Sequence, residues 1–192
     1  SQDRIIEKDF LSRIGLKTAP YQIVDGFTSL QSASEMIGFP AILKTTRLGY
    51  DGKGQVRLSE NSDIEKEYKK LKDNVLIYEG FVDFEFEVSV IAARNLSGQV
   101  ACYDPGQNVH LNSILHTTTV PSQLTSRQTV DAVLIASKIL ESLNYVGVLG
   151  VELFCTKAGL IVNEIAPRVH NSGHWTQNGC SIDQFEQHIR AI

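Results

Sequence analysis

Two glutamates, Glu152 and Glu164, stand in a pair of apolar segments, Val151-Glu152-Leu153-Phe154-Cys155 and Leu160-Ile161-Val162-Asn163-Glu164, separated by Thr156 to Gly159. Segments of this kind pair as an antiparallel hairpin. A three-residue loop at Lys157-Ala158-Gly159 sets Thr156 against Leu160, and the same counting sets Glu152 against Glu164, give or take one bulge. Like charges facing each other across a strand pair destabilise it, and burial in apolar strands adds to the cost. A bound cation removes both problems. Hard carboxylate oxygens with few other protein ligands suit Mg²⁺, which keeps its waters and takes further oxygens from phosphates. Asn163 adds a neutral oxygen, but points to the opposite face unless the strand twists or bulges. The alternative is a solvated sheet surface on which each glutamate has a Lys or Arg partner.

A second group of residues suits phosphate. Gly49-Tyr50-Asp51-Gly52-Lys53-Gly54 places three glycines within six residues, so that main-chain N–H groups can approach an anion, with charge from Lys53 and Lys44 nearby. The spacing is not that of a Walker A loop, and a plain β-turn is the other reading. Lys44 sits in an apolar strand, where a lysine needs a reason to point inward or else snorkels from an edge. The strand Val75 to Val82 runs into a connector beside which an adenine base could pair with main-chain groups. Glu87 follows, either as a holder of ribose hydroxyls or as an ordinary exposed acid. The third group is the run Asn163 to Thr176, dense in donors. Arg168 suits an anionic substrate or developing phosphoryl charge, while His170, Asn171 and Ser172 can orient a small polar molecule. The alternative is a capped loop whose polar groups satisfy each other. The four-residue spacing of His170 and His174 argues little for zinc where no helix is expected.

The elements that must position these groups fall into two halves. A helix from Asp3 to Ile14 ends at Gly15, and short strands and helices then alternate: Tyr21–Val24, about Ser29–Ile37, a strand through Ile42 to Lys44, Gln55–Leu58, a helix near Ser62–Leu71, and Val75–Glu79. That alternation suggests a small α/β lobe. The second half reads as strands Phe86–Arg94 and Gln99–Tyr103, extended chain over Val109–Val120, and the long helix Ser126–Leu143. The carboxylate hairpin, the polar loop Pro167–Gly179 and a last helix Ile182–Ile192 follow. Val130, Val133, Leu134, Ser137, Leu140 and Leu143 mark the expected buried face of the long helix.

Composition narrows the classes. Eighteen basic against 22 acidic residues give a net charge of −4, which does not support a nucleic-acid binder. No apolar run approaches the roughly 20 residues of a membrane span, and the polar start leads straight into a helix without a signal peptide. Cys102, Cys155 and Cys180 lack any CxxC pairing and read as buried thiols in a reducing compartment, so a cytoplasmic protein is expected.

Taken together, these residues resemble the ATP-grasp domain of the 5-(carboxyamino)imidazole ribonucleotide synthetases. The resemblance covers essentially the whole chain. It is carried by Gln2-Asp3-Arg4, Gly49 to Gln55, Gly147 to Glu152 and, above all, the run NEIAPRVHNSGHWTQ from Asn163 to Gln177. It implies an α+β ATP-grasp fold of two α/β lobes enclosing ATP. The smaller lid lobe spans residues 1–80, and the larger antiparallel-sheet lobe spans 81–192 and carries the metal and the substrate loop. Family members carry a preceding and a following domain, neither of which is read in these 192 residues. The implied reaction phosphorylates bicarbonate with ATP and carboxylates aminoimidazole ribonucleotide, in the synthesis of purines. Arg4, Lys44, Gly49, Tyr50, Asp51, Gly52, Lys53, Gly54, Gln55, Glu79, Gly80, Phe81, Val82, Glu87, His110, Asn163 and Glu164 would contact ATP, and Glu152 and Glu164 would carry Mg²⁺. Tyr50, Asp51, Arg168, His170 and Asn171 would face bicarbonate and the ribonucleotide, with Arg168, Asp51 and Tyr50 nearest the chemistry. The glycine loop would close over the phosphates, and the full-length parent would be a homodimer. A different carboxylate–amine ligase of the same fold, or a nucleotide-binding module without chemistry, are the competing expectations.

Overall fold

Asp3 opens the first helix by accepting the N–H groups of Ile5 (3.0 Å) and Ile6 (3.4 Å) on Oδ1. The computed structural model describes residues 3–47, 54–72 and 74–192. Helix α1 (Arg4–Arg13) ends at Gly15, whose φ of +74° lets the Leu16 N–H return to the Leu11 carbonyl at 2.9 Å. This is the left-handed glycine stop expected there. The described chain divides into two compact units, Ser1–Asp9 with Thr18–Asp83, and Phe10–Lys17 with Phe84–Ile192. Residues 10–17, expected with the first segment, place Phe10, Leu11, Ile14 and Leu16 in the core of the second unit.

In the first unit, β1 (Tyr21–Val24), β2 (Ala41–Thr45), β3 (Gln55–Leu58) and β4 (Leu76–Gly80) form a sheet in the order β1-β4-β2-β3. All its pairings are antiparallel, so the alternation of helices and strands does not build a parallel sheet here. Helices α2 (Phe27–Ile37) and α3 (Ile64–Leu71) supply Leu30, Ala33, Ile64 and Tyr68 to a core with Leu43, Leu58, Leu76 and Tyr78. Side chains alternate across a strand, so the residues between these, among them Ile42, Lys44, Ile77 and Glu79, share the opposite face.

The second unit is built on a six-stranded sheet. Strands β10 (Gly159–Ala166), β9 (Gly147–Thr156), β5 (Phe86–Arg94), β7 (Gly106–Leu111) and β8 (Ile114–Thr119) lie in that order, and β6 (Val100–Cys102) pairs with β5. The extended chain after Val109 is thus half of a hairpin. Its turn is Asn112-Ser113, at φ +52° and +64°, the mirror-image geometry that a two-residue β-turn requires. One face of the sheet, with Val88, Val90, Leu149, Val151 and Leu153, is covered by helix α4 (Ser126–Ser142).

The buried stripe of α4 is only partly the expected one. Leu140 is buried as expected, but its buried companions are Ala132, Ala136 and Ile139, whereas Val130 is 57 % and Leu134 is 60 % exposed. Two alanines one turn apart let the helix lie close to the sheet, and the larger residues beside them face outward. Beyond β10 come a 3₁₀ turn (Asn171–Gly173), the short helix α5 (Thr176–Gly179) and α6 (Gln184–Ala191). All three cysteines are free; Cys155 is buried, and Cys102 and Cys180 are half-buried rather than enclosed. Among the described residues no helix is long and apolar enough to cross a membrane.

Candidate functional site

The register of β9 and β10 sets Glu164 opposite Glu152, by a route the counting did not foresee. The turn has two residues, Lys157 and Ala158, with Thr156 paired to Gly159 and Cys155 to Leu160. Gly159, at φ +116°, closes it in a region that favours glycine. A bulge between Val162 and Glu164 then adds the missing residue. Asn163 is that residue, and the bulge brings it to the face of the glutamates, where its amide donates to Glu152 Oε2 at 3.3 Å.

The same face gathers more polar groups from the neighbouring strands. Ser89 of β5 lies opposite Glu152, and Glu87 lies opposite Asn108 of β7. His110 Nδ1 forms an ion pair with Glu87, and that carboxylate outweighs burial to raise the imidazole pKa above its ordinary value. Asn108 takes the hydroxyls of Thr118 (2.9 Å) and Ser89 (3.5 Å) on Oδ1, while its buried Nδ2 has no partner among the described residues. Burial, and next the charge of Glu164, push the Glu152 carboxyl up to about 7. Among the described residues its partners are Asn163 and, at 3.7 Å, His170 Nε2, not a lysine or arginine. Two carboxylates in register, one amide oxygen at hand and an excess of negative charge fit a hard divalent cation that keeps most of its water. Among the described residues there is no cluster of three acidic, histidine or cysteine side chains that would cage a metal entirely by protein.

The first unit gathers cations at one place. On the sheet face away from its core, Lys44 Nζ reaches Glu79 Oε2 at 2.9 Å, and Lys8 of α1 reaches the same oxygen at 3.6 Å. Burial alone would raise Glu79, but Lys44, Lys8 and Arg4 together hold it below the ordinary carboxylate value. Lys8 is pulled down by burial, which its attraction to Glu79 does not offset because it also faces Lys44. Arg57 stacks 4.2 Å over Phe81. Gln55 pairs with Lys44, and Gly54, at φ +78°, gives its carbonyl to Thr45 N. Three cations around one carboxylate make this face receptive to a polyanion. Gly49, Tyr50, Asp51, Gly52 and Lys53 lie outside the described residues. Of the connector, the N–H groups of Gly80 and Phe81 are bonded to Pro20 O (2.9 Å) and Pro40 O (3.0 Å). A base there would meet carbonyls, or Val82.

The polar loop is both held and specific. Gln184, fully buried, brackets the main chain of His170, accepting from its N–H at 2.9 Å and donating to its carbonyl at 2.8 Å. Thr176 Oγ1 bonds Gly173 O and receives Gln184 N, and Gly173 passes so near that a Cβ there would fall 2.3 Å from Gln184 Oε1. Ser172 N–H donates to His170 Nδ1, which leaves Nε2 as the protonated nitrogen toward Glu152. Burial, with Arg168 nearby, lowers His170 to about 4, so it is neutral at physiological pH. Arg168 and Asn171 are exposed. His174 stacks on Phe185 and does not converge with His170, so the zinc reading falls. Tyr145 ties Pro167 O at 2.9 Å. Tyr145→Phe removes that bond and is expected to lower stability by about 1 kcal/mol, read as a shift of the urea midpoint at constant slope.

Sequence reading missed Lys8, Ser89, Asn108 and Gln184. Lys8 had a signal, because it follows Arg4 by one helical turn and shares its face. Gln184 had none: only the tertiary path of the loop gives it a role.

Comparison with known proteins agrees with this geometry. Residues 9–185 match the profile of the ATP-grasp domain. The chain is 51 % identical to the N5-carboxyaminoimidazole ribonucleotide synthase of Brucella melitensis biotype 1, over 100 % of the chain and 54 % of that protein. A crystal structure of the Staphylococcus aureus N5-carboxyaminoimidazole synthetase complexed with ADP superposes with a TM-score of 0.94 at 36 % identity, covering 100 % of this chain and 51 % of that one. The Aspergillus clavatus enzyme in complex with ADP and 5-aminoimidazole ribonucleotide gives 0.91 at 29 % identity, covering 100 % and 50 %. The chain spans about half the length of the curated relatives it matches.

Proposed function

The chain belongs to the ATP-grasp family, and from that premise we propose that it supplies the ATP and Mg²⁺ machinery for carboxylating aminoimidazole ribonucleotide with bicarbonate. The observation that carries this reading is the in-register pair Glu152 and Glu164, with Asn163 turned to join them and the run to Gln177 directly following. The relatives named above, and the nucleotides two of them were crystallised with, support it.

The residues divide by task. Arg4, Lys44 and the glycine loop Gly49–Gln55 neutralise the phosphates, residues Glu79–Val82 meet the base, and Glu87 with His110 meets the ribose side. Glu152, Glu164 and Asn163 hold Mg²⁺, which when bound neutralises charge on the phosphate oxygens. A bicarbonate oxygen attacks the γ-phosphorus, the bond to ADP breaks, and carboxyphosphate forms. The amine of aminoimidazole ribonucleotide then attacks the carboxyl carbon; phosphate leaves, and a proton is lost from nitrogen. Arg168 faces charge on the transferring phosphoryl group, while Tyr50, Asp51, His170 and Asn171 orient bicarbonate and the ribonucleotide. No covalent enzyme intermediate is needed, so catalysis is positioning and charge neutralisation. Residues 1–80 bring the phosphate contacts and the start of the base contact, and residues 81–192 bring the rest of it, the ribose contact, the metal and the substrate loop. The intact protein works as a cytoplasmic homodimer.

The test is ADP release by the intact protein with ATP and Mg²⁺. Release is expected to rise at least about tenfold on adding bicarbonate and aminoimidazole ribonucleotide together. Release indifferent to both would sink the reaction while leaving nucleotide binding in place.

A further inference from the structure

Gln184 is a fully buried amide in the first turn of α6. Glutamine usually stays at the surface, and a buried one needs partners. The helix start does not use this amide. Asp183 Oδ1 accepts the N–H groups of Phe185 (2.8 Å) and Glu186 (2.9 Å), and the main-chain N–H of Gln184 goes to Thr176 Oγ1 at 3.0 Å. The side chain turns instead to one residue of the polar loop. His170 is extended (φ −126°, ψ 149°), so its N–H and C=O point the same way, and Gln184 takes both.

That bracket fixes where His170 sits and how it is turned about the chain. Beneath it lies Gly150 of β9, where a Cβ would fall 2.8 Å from His170 Cβ, so the side chain rests on bare main chain. Ser172 Oγ stands 2.8 Å from Nδ1, and Nε2 is left 3.7 Å from Glu152 Oε1. Tyr145, on Pro167 O, is a second anchor three residues earlier. The exposed Arg168 and Asn171 adjoin these two anchors. One amide from a distant helix thus sets the middle of the three residues that face the substrates.

We propose that Gln184 is a positioning residue for the carboxyl transfer: by fixing His170 it spaces Arg168, His170 and Asn171 so that the ribonucleotide's amine reaches carboxyphosphate before water does. This role rests on the bicarbonate and ribonucleotide reading above. Where the amine wins, its nitrogen bonds to the carboxyl carbon, phosphate leaves and a proton is lost. Where water wins, carboxyphosphate and water give bicarbonate and phosphate, and ATP is consumed without a new C–N bond.

The ratio of carboxylated ribonucleotide to ADP, measured on the intact protein, tests this. A smaller folded fraction lowers both products alike, so a purely structural role leaves the ratio unmoved. Wild type is expected to give about one product per ADP, and Gln184→Met, which loses both hydrogen bonds, about one half or less. Its ATP affinity by isothermal titration should stay within about twofold of wild type. Gly173→Ala keeps the amide but sets a methyl 2.3 Å from Oε1, and should lower the ratio too. Gln184→Glu keeps the size and the acceptor but loses the donor when ionised, and replaces Gln184→Met should that variant not fold by circular dichroism. Folded variants with the wild-type ratio overturn the positioning role and leave Gln184 a structural tie. Failure of both Gln184 variants to fold overturns it as well, because the residue is then needed for folding. Wild type without ADP release dependent on bicarbonate and the ribonucleotide overturns the reaction reading, and this role with it.

Discussion

Glu164→Gln is expected to abolish Mg²⁺-dependent ATP binding. The substitution keeps size and register but removes one of the two charges that face each other across β9 and β10. A neutral amide is a poor ligand for a cation that dehydrates reluctantly. Even partners outside a metal's own ligand set cost about 10–100-fold when removed, so a ligand carboxylate should cost roughly 100-fold or more in ATP affinity with Mg²⁺ present. With EDTA the variant and the wild-type chain should bind ATP alike, since the lysines of the first unit are untouched. Unchanged affinity in Mg²⁺ would remove the metal assignment.

The second large effect concerns pH. In the metal-free chain, Glu152 is raised from its ordinary 4.5 to about 7, first by burial and then by Glu164. The folded state therefore holds a proton that the unfolded chain gives up at lower pH. Stability from this group is fully present below about 4.5 and lost as pH rises through about 7. The size is on the order of 3 kcal/mol, at about 1.4 for each tenfold change in proton affinity. Chemical denaturation in EDTA should show stability falling between about pH 4.5 and 7, and Glu152→Gln should flatten that fall. Mg²⁺ competes with the same proton, so its binding should strengthen over the same interval. A wild-type profile with no fall across this window would show that the glutamate is not held as described.

Much of this was readable from the chain because periodicity and apolar context are local. The hairpin, the long helix and the glycine stop at Gly15 each announce themselves within about a dozen residues. What was not readable depended on contacts distant in sequence. The stripe of α4 could have been drawn through Val130 and Leu134 or through Ala132 and Ala136. The sheet chose the alanines, whose small size admits close approach. The Asn112-Ser113 turn went unseen because neither residue is glycine, although asparagine tolerates the left-handed region. Glu152 and Glu164 were set opposite each other, give or take one bulge, by counting that was one residue too long at the turn, and the bulge at Asn163 cancels that offset. Gln184 was invisible for a plainer reason. A buried polar residue that serves a distant partner looks, in sequence, like any surface residue on a helix.

The bulge at Asn163 also changes how the hairpin tolerates loss of a residue. Without Asn163, Leu160 to Val162 would keep their partners and Glu164 would arrive at the same place opposite Glu152, because the bulged residue is the one that opposes nothing. Removing Leu160 or Ile161 instead would shift the residues between the deletion and the bulge by one place, and send an apolar side chain to the polar face. Excision of a single residue, which elsewhere in a strand scrambles both faces, is here a clean way to delete one amide from the carboxylate pair and leave the pair standing.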